Sequence, residues 1–137
     1  MNFVRRDILT LKIRTGTDII EINRVKESIE DTEGRFCERV YTKKEIEYCE
    51  SKKMQKYQHY AARFAAKEAV FKAISANMNN KYDISWRDIE ILNDKNGRPF
   101  VKISDEFTLG VTDIDISLSH CKEYAVANVV ILYTSNK

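Results

Sequence analysis

Residues 63–76 constrain the fold more than any other stretch of the chain; they read Arg-Phe-Ala-Ala-Lys-Glu-Ala-Val-Phe-Lys-Ala-Ile-Ser-Ala. The stretch is rich in alanine, contains neither glycine nor proline, and is too long for a typical strand, so it predicts one helix. At 100° per residue, Phe64 and Phe71 fall on one side of this helix and most of the alanines fall on the opposite side. Two apolar sides predict a helix that is largely buried.

Two charged residues, Glu68 and Lys72, lie at the boundary between these apolar sides, one helical turn apart. Burying a charge costs free energy unless the charge is paired or bound to an ion. The spacing by itself favours an i,i+4 Glu–Lys ion pair, which is worth only about a few tenths of a kcal/mol. A binding or catalytic role for the two side chains is the alternative interpretation.

Local patterns predict helices early in the chain and strands late. A short strand at 11–15 is followed by helix one at 17–30, and the capping-box pattern Thr42-Lys-Lys-Glu45 begins a second helix. The central helix covers about 59–76. Four later strands are expected at 88–92, 99–103, 114–120 and 125–133, the first two joined by a turn at Asn96-Gly97. This order indicates an α+β domain with helices packed on a mainly antiparallel sheet.

Asp18 is expected at the junction of the first strand and helix one. Aspartate is a preferred N-cap residue, and Glu21 follows three residues later, which resembles a capping box. On local grounds alone, Asp18 is therefore interpreted as a helix cap. His120 ends an alternating strand on its apolar side, where a lone histidine is more often structural than catalytic.

Composition limits the classes of function. The 137 residues suit one domain (1–137, with residues 1–9 as an N-terminal extension), and no apolar stretch is long enough for a membrane span or a signal peptide. The three cysteines are expected to be reduced, in keeping with a cytoplasmic protein. The overall charge of +2 hides a first half, residues 1–72, with a net charge of +4. This bias suits an acidic partner but is too weak to indicate nucleic acid.

Five motifs occur in an order that is similar to one known enzyme family. They are Arg63-Phe-Ala-Ala-Lys-Glu-Ala69, Gly16-Thr-Asp-Ile-Ile-Glu-Ile22, Ile116-Ser-Leu-Ser-His-Cys-Lys-Glu-Tyr-Ala125, Trp86-Arg-Asp-Ile-Glu-Ile91 and Asn96-Gly-Arg-Pro99. Together they resemble the small, single-domain phosphopantetheinyl transferases of the holo-[acyl-carrier-protein] synthase type. The resemblance extends from about residue 16 to residue 131 and implies the fold of that family.

The resemblance also implies an activity and a catalytic centre. Members of this family transfer 4′-phosphopantetheine from coenzyme A to a serine of apo acyl carrier protein, in fatty acid biosynthesis, and release 3′,5′-ADP. The matching residues make Asp18 and Glu68 the ligands of Mg²⁺, which prefers a few carboxylate oxygens and keeps water and phosphate oxygens in its shell. Glu68, or a water on the ion, is the candidate base, and Lys72 would stabilise or protonate the leaving group.

Further residues are assigned to binding by the same resemblance. The carrier protein would contact Arg24 and Arg35, and the family's homotrimers place their sites between subunits. The residues expected to bind coenzyme A are Arg63, Lys67, Asn96, Gly97, Arg98, Pro99, Ser119, His120 and Cys121.

The chain departs from the family pattern in two places. Arg14-Thr-Gly16 stands where relatives often have Gly-Ile-Gly, and the loop over residues 75–82 contains no glycine although many members carry a glycine-rich segment there. Two other functions stay open on sequence grounds. One is a non-catalytic module that binds coenzyme A or a nucleotide, and the other is an interaction domain for an acidic protein. Intact Asp18, Glu68 and Lys72 argue against the first, and the second would need the basic first half but not the carboxylates.

Overall fold

The computed structural model describes residues 9–76 and 78–136. Residues 1–8 of the predicted N-terminal extension lie outside the described residues, and Leu9 already belongs to the first strand. The described strands and helices, in chain order, are β1 (Leu9–Glu21), α1 (Ile22–Asp31), α2 (Arg35–Val40), α3 (Lys43–Ser51), α4 (Lys56–Ser75), β2 (Ile89–Asn93), β3 (Pro99–Ile103), β4 (Val111–His120) and β5 (Tyr124–Asn136).

The strands form two antiparallel sheets. A three-stranded sheet has the order β1-β5-β4, and β2 and β3 form a separate hairpin. Helix α4 packs on β1 and β5 of the larger sheet, which confirms the predicted α+β architecture and the central position of this helix.

The first strand is longer than predicted, and helix one begins later. Residues 9–21 pair with β5 without a break, from Leu9 opposite Asn136 to Glu21 opposite Tyr124. The predicted start of helix one at residue 17 is therefore wrong, because long-range pairing outweighs the local cap-like pattern. Asp18 lies inside β1 opposite Ala127 and caps no helix. Glu21 occupies the N-cap position of α1 without a side-chain capping bond.

Other local predictions are confirmed. The capping box at α3 is present, with Thr42 Oγ1 accepting from the Glu45 amide and Glu45 Oε1 accepting from the Thr42 amide at 2.8 Å. The β2–β3 turn has Gly97 at φ +84°, in the left-handed region that glycine favours. Helix α2 had no sequence prediction.

Two clusters of buried side chains form the core. One lies between α4, the inner face of the sheet and the hairpin, and it is built on the small residues Ala65, Ala69 and Ala73. The other joins α1, α2 and α3 to the first turns of α4, around Tyr41 and Tyr60. No helix within the described residues is both long and apolar enough to cross a membrane.

The backbone of α4 lies almost in contact with the backbone of β1 at Gly16. A Cβ atom at this position would overlap the carbonyl oxygen of Ala69 and lie 2.8 Å from its carbonyl carbon and 3.2 Å from the amide nitrogen of Ala73. The helix can approach this closely only because residue 16 has no side chain and the facing helix residues are alanines. The contact sets the depth at which α4 lies on the sheet.

We therefore predict that Gly16→Ala lowers the free energy of unfolding by about 3 kcal/mol, because the helix must move away from the strand and the packing beneath it is lost. Denaturant unfolding followed by circular dichroism measures the change. Thr15→Ala, at the exposed neighbouring position of the same strand, is the matched control and should cost far less. Equal losses for the two variants would show that the close approach does not matter.

Candidate functional site

The contact between α4 and β1 brings together the side chains of Asp18, Glu68 and Lys72. Asp18 lies two residues after Gly16 and therefore on the same face of β1. The ammonium of Lys72 donates to Asp18 Oδ1 at 3.1 Å and to the carbonyl oxygen of Thr17 at 3.0 Å. Lys72 thus pairs across to the strand, in place of the i,i+4 pair with Glu68 that the spacing favoured.

Glu68 is half-buried beside this pair. Burial raises the pKa of its carboxyl above the ordinary value of 4.5, the negative charge of Asp18 raises it further, and the positive charge of Lys72 opposes the shift. The effect of Asp18 shows that the two carboxylates lie close enough to repel each other. Such a pair attracts a hard cation, and a glutamate with a raised pKa is a better proton acceptor than an ordinary one.

A mainly apolar pocket of about 230 Å³ lies next to Glu68. Its walls come from α4, through Phe71, and from the segment before β2, through Ile84 and Trp86. Trp86 is held in place by stacking on Phe64, with ring centroids 5.0 Å apart. The pocket can receive an uncharged part of a ligand. The charged part of the same ligand would then lie beside Asp18 and Glu68.

Lys67 lies in the wall of the same pocket, and its side chain is fully buried. Its ammonium pairs with Glu45 at 2.8 Å and donates to the carbonyl oxygens of Trp86 and Ile89. Glu45 also accepts from the amide of Ile91 at 2.9 Å. Burial lowers the pKa of Lys67 although Glu45 opposes that shift. A phosphate could reach Lys67 only if these bonds broke, so this placement favours a structural role.

A cleft of about 570 Å³ lies between α3, α4 and the β2–β3 turn. The guanidinium carbon of Arg63 lies 4.0 Å from the ring centre of Tyr48, and Arg63 also donates to Asn93. Gly97 lines the same cleft. Two of the residues expected to bind coenzyme A, Arg63 and Gly97, are thus brought together here.

Hydrogen bonds within the turn and one ion pair to β4 involve the other residues of this turn. The amide of Asn96 donates to Asp94 at 2.8 Å, and the guanidinium of Arg98 forms an exposed pair with Asp115 at 3.1 Å. Pro99 begins β3. These contacts shape the edge of the cleft.

Three residues of this cleft were not predicted from the sequence, and they are Lys44, Tyr48 and Lys52. They follow one another at intervals of four along α3 and at its C-cap, so they share one side of that helix. This spacing was visible in the sequence and could have identified a basic strip. The segment that this strip faces across the cleft, the turn after β2, could not be identified until the fold was known.

The residues at the end of β4 lie near the first turns of α4, not near Glu68. His120 is exposed, and its ring centre is 6.3 Å from that of His59. Ser119 is exposed on the opposite face of the strand. Cys121 is exposed, and hydrogen bonds with the backbone of Glu123 and Tyr124 lower the pKa of its thiol.

Arg24 and Arg35 are exposed, on α1 and at the start of α2. The side chains of both are available to a partner on the helical side of the molecule.

Comparison with known proteins gives one consistent family. The family model of the 4′-phosphopantetheinyl transferase superfamily matches residues 14–129. A holo-[acyl-carrier-protein] synthase of Ruminiclostridium cellulolyticum is 50% identical over 126 residues, which are 88% of this chain and 92% of that protein. Another, from Protochlamydia amoebophila, is 48% identical over 117 residues, with 84% and 93% covered.

Solved structures agree with the sequence relatives. The chain is similar to holo-[acyl-carrier-protein] synthase from Helicobacter pylori in complex with coenzyme A, with a TM-score of 0.75, 28% identity, and 85% of this chain and 98% of that chain covered. The Bacillus anthracis synthase in complex with CoA (3′,5′-ADP) gives a TM-score of 0.74 at 34% identity, with 90% and 99% covered.

The raised pKa of Glu68 leads to a prediction about stability. The folded protein keeps the Glu68 proton to a higher pH than the unfolded chain, so the contribution of Glu68 to wild-type stability falls as the pH rises from below 4.5 through the raised pKa. The Glu68→Gln variant has no ionisable group at this position, so this decrease in stability does not occur in it. Its free energy of unfolding, minus that of the wild type, should therefore increase over this range and then level off. Denaturant unfolding at a series of pH values measures the difference, and a flat or falling curve would contradict the assignment.

Proposed function

Because this chain belongs to the 4′-phosphopantetheinyl transferase superfamily, we propose that it transfers 4′-phosphopantetheine from coenzyme A to a serine hydroxyl of apo acyl carrier protein, leaving 3′,5′-ADP. The observation that carries this proposal is the convergence of Asp18, Glu68 and Lys72 at the α4–β1 contact. Production of holo acyl carrier protein would give the chain a place in fatty acid biosynthesis.

The two carboxylates fit a Mg²⁺ ion. Both are hard oxygen donors, one is half-buried, and they repel each other in the absence of a cation. Asp18 and Glu68 would hold the ion, and the ion, when bound, supplies positive charge to the pyrophosphate of coenzyme A. Two protein ligands leave most of the coordination shell to water and phosphate oxygens, as Mg²⁺ prefers.

Lys72 and Glu68 divide the remaining chemistry. The side chain of Lys72 is 51% exposed, so its ammonium can turn from Asp18 towards an anionic group of the substrate. There it would stabilise the negative charge that develops on the departing phosphate. Glu68 is the candidate base for the proton of the serine hydroxyl.

We predict that Asp18→Asn and Glu68→Gln each lower kcat/KM by about a thousandfold, because each removes charge that acts in the transition state. The assay incubates the protein with coenzyme A, Mg²⁺ and apo carrier protein, and mass spectrometry detects the phosphopantetheine increment. A chelator should abolish the increment in the wild type and added Mg²⁺ should restore it. Glu106→Gln, at an exposed glutamate outside the site, is the control and should keep full activity.

Near-normal turnover in either site variant would refute its role. Wild-type protein that binds coenzyme A in calorimetry but never modifies a carrier protein would support the alternative of a non-catalytic binding module.

Arg24 and Arg35 are our proposed contacts for the carrier protein, because both are exposed and cationic on the helical side. We predict that Arg24→Glu and Arg35→Glu raise KM for the carrier protein about tenfold at low ionic strength, leave KM for coenzyme A nearly unchanged, and lose most of this effect in high salt. Lys102→Glu, an equal charge change on β3, is the control. An unchanged KM for the carrier protein at low salt would remove this assignment.

We further propose that the chain forms a homotrimer whose sites lie between subunits. The outer face of the large sheet carries Leu11, Ile13, Ile19 and Val130, which are 64%, 62%, 63% and 42% exposed. These side chains alternate along β1 or lie on its neighbour β5, so they form one apolar surface. Such a surface is suited to contact with another copy of the chain.

We predict that Ile13→Glu dissociates the assembly and lowers activity by at least tenfold, because it places a charge in the apolar surface. Light scattering gives the mass, and Leu109→Glu, at an apolar residue 93% exposed outside this surface, is the control. Mixing inactive Asp18→Ala with an impaired His120→Ala variant, under conditions of subunit exchange, should restore part of the activity. A stable, active wild-type monomer would refute the shared site.

A further inference from the structure

Three basic side chains surround the ring of Tyr48 at the start of α4, and His120 lies next to one of them, His59; we refer to Lys52, His59, Arg63 and His120 as the cationic cluster. The ammonium of Lys52 lies 4.8 Å from the ring centre of Tyr48, and the guanidinium of Arg63 lies 4.0 Å from it. The ring of His59 meets Tyr48 edge-on at 5.5 Å and lies 6.3 Å from that of His120. Three chain segments thus contribute to one basic surface.

Negative charge does not balance this cluster. Among residues 9–76 and 78–136, none of its four members has a carboxylate within 4.0 Å. The groups that face His59 are Tyr48 and Lys52 from α3 and its C-cap, Arg63 from α4 and His120 from β4. Partial burial lowers the pKa of His59, and the positive charges of Arg63, Lys52 and His120 lower it further.

Arg63 provides a second, independent observation. This residue is only 2% exposed, and its Nε has no hydrogen-bond acceptor in the described part of the chain. A buried donor without an acceptor costs free energy, so an anion that accepts from Arg63 would stabilise the cluster further. The cleft of about 570 Å³ begins at the same Tyr48, Lys52 and Arg63, and Phe100 gives it an apolar wall.

We propose that His59 binds the 3′-phosphate of coenzyme A together with Lys52 and Arg63, and that it takes up a proton from solvent as it does so. This inference rests on the proposed function. In the ligand-free protein, partial burial and the neighbouring positive charges disfavour the imidazolium form. A phosphate monoester carries close to two negative charges at neutral pH, so its arrival replaces repulsion by attraction and favours the imidazolium form.

The direction of the pH dependence follows from this exchange. The pKa of His59 is lowered in the empty protein and would be raised in the complex, so binding takes up protons between these two values. Affinity should be highest at low pH, where His59 is protonated in both states, and should fall as the pH rises through the pKa of the complex. The 3′-phosphate of the free ligand titrates as well, but that contribution is the same for every variant of the protein.

The most direct test follows the imidazole itself. The chain contains only two histidines, so the imidazole NMR spectrum of the wild type has two sets of signals, which one variant is enough to assign. Titration of the wild type with and without saturating 3′,5′-ADP should show the pKa of His59 higher in the complex. Calorimetry in buffers of different ionisation enthalpy should report proton uptake. An unchanged His59 pKa at saturation would overturn the proposal without any variant.

His59→Gln tests the consequence for affinity. At pH 6.5 this variant should bind coenzyme A about tenfold more weakly than the wild type, which is the usual loss of one charge-assisted hydrogen bond, and the ratio should approach one at pH 8.5. Lys102→Gln, which removes a single charge on β3, is the matched control and should show no such pH dependence. A ratio that is constant with pH would overturn proton coupling.

Dephospho-coenzyme A identifies the phosphate that is bound. It keeps the pyrophosphate and lacks the 3′-phosphate, so the difference between wild type and His59→Gln should disappear with this ligand. A difference of the same size would assign His59 to the pyrophosphate and refute the proposal. Transfer activity of the wild type is recorded in parallel: its absence would count against the proposed function, whereas transfer with an unresponsive His59 counts against this inference alone.

Discussion

The close contact between the backbones of α4 and β1 at Gly16 is the constraint on which the candidate catalytic centre depends. Asp18 follows Gly16 on the same face of the strand, and Glu68 and Lys72 each precede an alanine of α4 whose backbone approaches Gly16. With no side chain between the two backbones, a strand carboxylate and a helix ammonium meet at 3.1 Å. A larger residue at position 16 would separate the groups that the proposed chemistry requires to act together.

The buried ion pair of Glu45 and Lys67 is a second constraint, because it connects elements that line both the cleft beside Arg63 and the pocket beside Glu68. Glu45 is part of the capping box of α3, accepts a hydrogen bond from the amide of Ile91 in β2, and forms an ion pair with Lys67 of α4. Removing one partner of such a pair typically costs about 3–5 kcal/mol, because the other charge is left buried. The pair therefore keeps the hairpin at a fixed position against α4. Both the cleft and the pocket beside Glu68 are lined by residues of α4 and of β2 or its preceding segment, so both depend on that position.

The sequence predicted those features that depend on near neighbours. The capping box at Thr42, the turn at Gly97 and the alternation of β4 each need only a few residues, and each is confirmed. Asp18 was expected as a helix cap because the pairing of β1 with a strand more than 100 residues away leaves no local signal. Periodicity likewise could not tell that Lys67 pairs inward with Glu45 while Lys72 reaches the surface. His59 was not singled out, since its significance depends on three distant neighbours.

Helix α4 contributes to two charged regions, the cationic cluster and the acidic region around Asp18 and Glu68. This limits how far the two regions can move relative to each other. His59 and Arg63 belong to its first turns and Glu68 and Lys72 to later ones; nine residues of helix, from His59 to Glu68, span about 13.5 Å. A continuous helix packed at Gly16 cannot shorten that separation by bending at a hinge. In the trimer that we propose, the basic region of one copy would face the acidic region of the next, so the packing of the outer sheet faces would set the distance between them. Substitutions on that apolar surface would then alter the reaction without touching a reacting group.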